Sequence, residues 1–91
     1  MKTVLIPTKL DGVAKELLED NGFTVVQETA DSEDHLDALI AANSGCVAMI
    51  VRSERITAAR IDAMPNLKLV VRAGAGYNTI DCKHARRRGV D

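Results

Sequence analysis

The chain has 91 residues, of which 46% are hydrophobic and 27% are charged, and its formal net charge is -1. This composition predicts one ordinary soluble globular domain, and no apolar run approaches the ~20 residues that a membrane-spanning helix needs. Nucleic-acid binding is not expected, because a near-neutral chain with only two aromatic residues offers neither an attracting field nor a surface for stacking bases.

Targeting and redox signals are weak in this sequence. Val4-Leu5-Ile6 is too short an apolar run for a signal peptide and is preceded by one lysine, so it predicts a first strand and a cytoplasmic location. Cys46 and Cys82 have neither CxxC nor Cys/His spacing. We therefore expect two reduced, partly buried thiols and no metal site.

Short apolar runs alternate with amphipathic stretches along the chain. The runs lack the in-and-out pattern of a half-exposed strand, which indicates parallel strands covered on both faces. Predicted strands occupy residues 4–6, 25–26, 47–51 and 67–71.

Two helices are predicted in the first half of the chain. The first spans about residues 11–21 and leaves through Asn21-Gly22, and one of its faces is apolar and expected to pack inward. That face consists of Val13, Leu17 and Leu18. The second helix is capped by Asp31 or Ser32, and its buried stripe consists of Leu36, Leu39 and Ile40.

Two shorter helices are predicted in the second half. Thr57 caps the third, which contains Ile61 and Met64 and ends at Pro65-Asn66. Asp81 caps the fourth, which stops at Gly89.

This alternation, with right-handed crossovers, predicts an α/β doubly wound parallel sheet, and by analogy the flavodoxin-like strand order 2-1-3-4-5. The sequence ends at Gly89-Val90-Asp91, where a fifth strand would start. We therefore expect a truncated sheet of about four strands. Residues 67–71 would then form an exposed apolar edge, through which self-association is expected.

Ligands of open parallel sheets bind at the carboxyl ends of the strands. Here those ends carry residues 7–9, 52–55 and 72–76. Gly74 and Gly76 permit close backbone approach, and Arg52 and Arg72 offer forked donors to a carboxylate or phosphate. This pattern favours a small anionic ligand. The alternative is that the glycines only make a tight turn and that the arginines pair with Glu54, Asp81 or another surface acid.

Two other kinds of site are excluded at these ends. A dinucleotide fingerprint needs G-x-G-x-x-G, and Thr79 stands at the third glycine position, so this loop is not expected to bind NAD. A phospho-acceptor site would need carboxylates at the ends of strands one and three, where the chain has Thr8-Lys9 and Arg52-Ser53.

The histidines and the basic run Arg86-Arg87-Arg88 have simpler interpretations. His35 and His84 fall in first helical turns with no acid partner that the sequence identifies, so both are expected to be solvent-exposed and non-catalytic. The arginines lie near the negative end of a helix dipole and are expected to be solvated.

Several stretches together resemble one family. Ile50-Val51-Arg52-Ser53 closes the third strand, and Leu67-Lys68-Leu69-Val70-Val71-Arg72-Ala73-Gly74-Ala75-Gly76 contains the fourth. With the opening Val4-Leu5-Ile6-Pro7-Thr8 they resemble the D-isomer-specific 2-hydroxyacid dehydrogenases, and the phosphoglycerate dehydrogenase branch above others. One departure is Tyr77-Asn78-Thr79, where that branch more often has a small residue, an acid and Asn.

The resemblance implies a role for the whole chain. Residues 1–91 would be the N-terminal part of the substrate-binding lobe, with the NAD-binding Rossmann domain and the catalytic arginine, acid and histidine outside it. NAD would be the cofactor of the intact parent and would not be bound by this chain. The substrate would be a small 2-hydroxy or 2-oxo acid, above others the 3-phosphoglycerate of serine biosynthesis.

The resemblance also implies site residues. Gly74, Ala75 and Gly76 would supply backbone donors to the substrate carboxylate, with Arg52 and Ser53 at the cleft wall. Two functions are thus open: an inactive piece of a dehydrogenase, and a non-catalytic α/β module that binds an anion or a partner chain through its sheet edge. A downstream G-x-G-x-x-G fingerprint in the reading frame would favour the first.

Overall fold

A four-stranded parallel sheet organises the chain in the computed structural model, which describes residues 2–10, 12–52, 54–72 and 82–90. The strands are β1 (Thr3–Ile6), β2 (Thr24–Gln27), β3 (Ala48–Val51) and β4 (Leu69–Arg72). Their order is β2-β1-β3-β4, as predicted. The first strand therefore lies inside the sheet and β4 lies at one end of the described strands.

Four helices connect or follow these strands: α1 (Gly12–Asp20), α2 (Glu33–Ala42), α3 (Ala58–Asp62) and α4 (Cys82–Arg87). Ser32 and Thr57 cap α2 and α3, because their side chains accept the backbone N–H groups of His35 and Arg60. The predicted cap Asp81 lies outside the described residues. None of the described helices has the length and apolar character needed to cross a membrane.

Glycine ends α1 and α4, as the sequence predicts. Gly22 has φ 89° and Gly89 has φ 73°, a left-handed conformation that only glycine adopts without strain. The N–H of Phe23 reaches the carbonyl of Leu18, and the N–H of Val90 reaches that of Ala85 at 2.8 Å. Both ends thus close with the hydrogen bond typical of a Schellman motif.

The main core lies between one face of the sheet and helices α2, α3 and α4. In the register of the strands Leu5 pairs with Val26 and Met49, and Met49 pairs with Val70, so these side chains share that face. Leu36 and Ile40 of α2 and the buried Ile61 pack against it, with Ala85 of α4. The predicted stripe of α2 is confirmed, since Leu36, Leu39 and Ile40 are all buried.

The opposite face of the sheet is less well covered. The prediction that the apolar face of α1 packs inward is wrong, because α1 has no buried residue. Val13 and Leu17 are 55% and 59% exposed, and only Leu18 is half-buried. The reason is that α1 packs beside β2, at the rim of the sheet. On the same face Leu69 and Val71 of β4 are 42% and 40% exposed, which fits the predicted apolar edge.

Two predicted boundaries differ slightly from the structure. Helix α3 ends at Asp62, so Met64 lies just beyond it in a turn and is nevertheless fully buried. Leu67 also belongs to the core, although β4 begins two residues later. Both side chains reach the core from outside the regular elements. Apolar periodicity alone assigns such residues to the nearest helix or strand.

Candidate anion site at the carboxyl edge of the sheet

Arg52 and Arg72 lie at the same edge of the sheet. Val51, the last residue of β3, is in register with Arg72 of β4, and Arg52 follows Val51 directly. The ends of these two neighbouring parallel strands therefore lie side by side, and Arg72 lies on the face of the sheet that carries Val51. The other expected site residues, Ser53, Gly74, Ala75 and Gly76, lie outside the described residues.

The contacts of Arg52 leave its charge without a counter-ion in the described part of the chain. Its backbone N–H donates to Oε1 of Glu54 at 2.8 Å, and its Nη1 lies 3.4 Å from the carbonyl oxygen of Lys9. No described carboxylate lies within 4.0 Å of the guanidinium. The pairing of Arg52 with Glu54 is therefore wrong, because Glu54 accepts from the backbone of Arg52 instead, whereas Asp81, the other acid named for the arginines, lies outside the described residues.

A cleft of about 320 Å³ lies next to this edge, between the start of α2 and the turn after β3. Its lining includes the acids Asp31, Glu33 and Glu54. Three carboxylates repel an anion, so this cleft is not where an anionic ligand would bind. The guanidinium of Arg52 is instead directed toward the end of β1, at Lys9.

His35 has acid partners that the sequence did not reveal, and it is partly buried, not solvent-exposed as predicted. Its Nε2 lies 2.6 Å from Oε2 of Glu28, and its Nδ1 lies 3.0 Å from Oδ1 of Asp31. Hydrogen bonds to Glu28 and then Asp31 raise the pKa of His35 above its ordinary value. His35 thus ties the loop after β2 to the first turn of α2.

His84 is also partly buried and paired. Its Nε2 lies 2.7 Å from Oδ1 of Asp62, and Nη1 of Arg88 donates to the same oxygen at 2.6 Å. Hydrogen bonds from His84 and Arg88 lower the pKa of Asp62. This cluster ties α3 to α4, so Arg88 is not solvated as predicted, whereas Arg86 and Arg87 are exposed.

Arg60 is a buried cation that sequence reasoning missed. It is 8% exposed, and its Nε donates to Oδ1 of Asp37 at 2.7 Å while its Nη1 donates to Oε1 of Glu33 at 3.2 Å. The hydrogen bond to Asp37 is the main cause of the raised pKa of Arg60. Glu33 and Asp37 are one helical turn apart, so the sequence indicates that both acids lie on the same face of α2. It does not identify Arg60 as the cation that they contact.

Cys46 is fully buried, and no metal site accompanies it in the described part of the chain. Its Sγ lies 3.5 Å from Sδ of Met64, and burial raises the pKa of the Cys46 thiol. The described residues contain no group of three or more His, Cys, Asp or Glu side chains that could hold a metal ion. The side chain of Cys82 lies outside the described part.

The fold and this edge match a known family. Residues 4–91 match the family model described as D-isomer specific 2-hydroxyacid dehydrogenase, catalytic domain. The chain therefore belongs to this family.

Within the family, the chain is similar to D-3-phosphoglycerate dehydrogenases. It is 36% identical to that of Sus scrofa over 91 residues and 32% identical to that of Archaeoglobus fulgidus over 88 residues, covering 99% and 96% of this chain. Among solved structures, the NAD+-bound 3-phosphoglycerate dehydrogenase of Entamoeba histolytica matches 98% of the chain with a TM-score of 0.78 and 27% identity.

The match covers only part of each relative. The chain spans 16% of the length of the Sus scrofa and Archaeoglobus proteins and 31% of the solved Entamoeba chain. The shared part has the same α/β fold, with the parallel sheet described above.

Proposed function

We propose that this chain forms the substrate-anion site of an NAD-dependent 2-hydroxyacid dehydrogenase. The observation that carries the proposal is the position of Arg52, at the carboxyl edge of the sheet with no carboxylate on its guanidinium in the described chain. Membership in the family supports it, because a 2-hydroxy acid presents a carboxylate to such an edge. The similarity to phosphoglycerate dehydrogenases favours 3-phosphoglycerate as the substrate.

In this proposal the chain binds and orients the acid and does not perform the redox step. Arg52 would neutralise the anion through its forked N–H donors, and the backbone N–H groups of Gly74, Ala75 and Gly76 would hold the carboxylate. Ser53 would stand at the cleft wall. Fixing the acid in one orientation is the contribution that such a site makes to hydride transfer.

NAD does not fit the first strand end of this chain. In a dinucleotide-binding fold the first strand-to-helix turn is glycine-rich, so that the pyrophosphate can approach the backbone. Here Pro7, Thr8 and Lys9 follow β1, and Thr8 is buried. NAD would supply the hydride to the complete enzyme, and we derive no step through it from these residues.

The direct test is anion binding by the 91-residue chain. Titration with 3-phosphoglycerate and with glycerate, followed by NMR, should give saturable shifts, and Arg52→Ala should weaken binding about tenfold, as expected for one lost charged hydrogen-bonding group. Arg86→Ala is the matched control, because Arg86 is exposed on α4. Equal effects of the two substitutions would refute a specific site.

A second measurement tests the division of labour. We expect the purified 91-residue chain to show no turnover with NADH and 2-oxo acids. Measurable turnover that follows the purified chain through chromatography would contradict the proposal that these residues only bind the substrate.

A second candidate function is a non-catalytic module that binds a partner chain. It is favoured by the exposed Leu69 and Val71, and by a groove of about 450 Å³ at the amino ends of the strands, whose lining combines apolar residues with two lysines. Phe23 and Ala48 are among the apolar residues of this lining, and Lys2 and Lys68 are the lysines. Sedimentation distinguishes the candidates, because Val71→Lys should disperse oligomers only if this face associates.

A further inference from the structure

We propose that Glu54 is a positioning residue for Arg52, an inference that rests on the proposed anion site. The observation behind it is that the Glu54 carboxylate accepts the backbone N–H of Arg52 at 2.8 Å, directly after the end of β3. Glu54 would act through Arg52 and would not touch the substrate itself.

The hydrogen bond meets a need of the backbone at this point. The parallel ladder of β3 with β4 ends at the pair Val51 and Arg72, so the N–H of Arg52 lies beyond it. A backbone N–H without a partner is costly unless water reaches it. Glu54, a half-buried residue, supplies a charged acceptor, and such hydrogen bonds are stronger than neutral ones.

This arrangement also determines what the guanidinium of Arg52 does. An acid two residues away is a natural ion-pair partner for an arginine, and such a pair would occupy the donors that an anion needs. Because the Glu54 carboxylate is bound to the backbone, the side chain of Arg52 extends toward the end of β1, where Nη1 lies 3.4 Å from the carbonyl of Lys9. Of the five N–H donors of a guanidinium, only this one has an acceptor in the described part of the chain.

Two substitutions separate the acceptor from the charge. Glu54→Ala removes the acceptor, so the Arg52 turn loses its anchor and the guanidinium samples other positions. Glu54→Gln keeps an oxygen acceptor at the same reach and removes only the charge. A positioning role therefore predicts loss of binding in the first variant and its rescue in the second.

The experiment titrates the wild-type chain and the variants Glu54→Ala, Glu54→Gln and Arg52→Ala with 3-phosphoglycerate. The readouts are the dissociation constant and the NMR signals of the Arg52 backbone amide and Nε–H group. We expect Glu54→Ala to weaken binding about tenfold and to shift the Arg52 amide, and Glu54→Gln to bind within about twofold of wild type. Thermal melting should show that all variants are folded.

The possible failures are distinguishable. If Arg52→Ala loses binding while Glu54→Ala binds like wild type, the positioning role is overturned and the proposed function stands. If Glu54→Gln binds as weakly as Glu54→Ala, the acceptor is not what matters and the positioning role is again overturned. If the wild-type chain gives no saturable binding, or Arg52→Ala changes nothing, the proposed function itself fails and the positioning role with it.

Discussion

Replacing Arg60 by alanine should destabilise the packing of α2 against α3 strongly, because Arg60 is a buried cation whose partners lie on both sides of that contact. The Arg60 side chain crosses from α3 to α2 and makes four hydrogen bonds to described residues. Two go to the carboxylates of Glu33 and Asp37, and two go to the main-chain carbonyls of Arg55, at 2.7 Å, and Glu33, at 3.3 Å. The substitution removes all four and also the apolar stem that fills the space between the helices.

The two kinds of hydrogen bond contribute unequally. The carboxylates of Glu33 and Asp37 are 68% and 58% exposed, so water replaces Arg60 there at little cost. The Arg60 guanidinium itself is buried, so its hydrogen bonds to the main-chain carbonyls are shielded on the donor side, and a hydrogen bond from a charged donor contributes about 1.5–3 kcal/mol. We therefore expect Arg60→Ala to lower the free energy of unfolding by about 2–4 kcal/mol, which is about 10–25 °C in Tm for a chain of this size.

The assay is thermal and urea unfolding followed by circular dichroism. Arg86→Ala is the matched control, because it removes the same side chain from an exposed helical position and should change stability by less than about 0.5 kcal/mol. Arg60→Lys should fall between the two, since an ammonium cannot reproduce the forked geometry. If Arg60→Ala and Arg86→Ala melt within about 2 °C of each other, Arg60 does not hold α2 to α3.

Three further predictions follow from single residues. The pKa of His35 is raised in the folded chain, so the stability that its ion pairs add is present below the ordinary pKa of about 6.5 and is lost as the pH rises through the folded-state pKa. In urea titrations, the difference in unfolding free energy between wild type and His35→Gln should therefore be larger near about pH 6 than near about pH 9. In a Cys82→Ser background, Cys46 should react with a thiol reagent only as fast as the chain opens; a rate that does not change with urea would contradict its burial. Gly22→Ala should cost about 1–2 kcal/mol through backbone strain alone, because no atom lies within 4 Å of the added Cβ, whereas Gly12→Ala, equally uncrowded and without a positive φ, should be neutral or slightly stabilising.

The sheet could be predicted from the sequence because its signals are local. Apolar runs without an alternating polar pattern predicted the parallel strands. The helix ends could be predicted because Ser32, Thr57, Gly22 and Gly89 act through contacts within a few residues. Right-handed crossovers then leave few strand orders to choose from. That Arg52 and Arg72 stand at the ends of neighbouring strands follows from that order.

The interactions that could not be predicted join residues far apart in the chain. Arg60 with Asp37, and His84 with Asp62, meet only because α3 lies between α2 and α4. The exposure of Leu17 could not be predicted for a similar reason. The spacing of the apolar residues in α1 correctly indicates a helix face, but it does not tell how far the helix lies from the middle of the sheet. Glu54 binds locally, yet residue type alone does not distinguish an acceptor for a backbone N–H from an ion-pair partner.

The position of β1 has a consequence for how the chain folds during synthesis. Residues 3–6 of β1 pair with residues 24–27 on one side, and on the other side residues 4–5 pair with residues 48–49. At about 5–20 residues per second, the ribosome delivers the second partner several seconds after the first strand has emerged. Until then Leu5 and its apolar neighbours have no complete core to enter. Trimming six residues from this end would divide the sheet and should be far more damaging than loss of the rim strand β4.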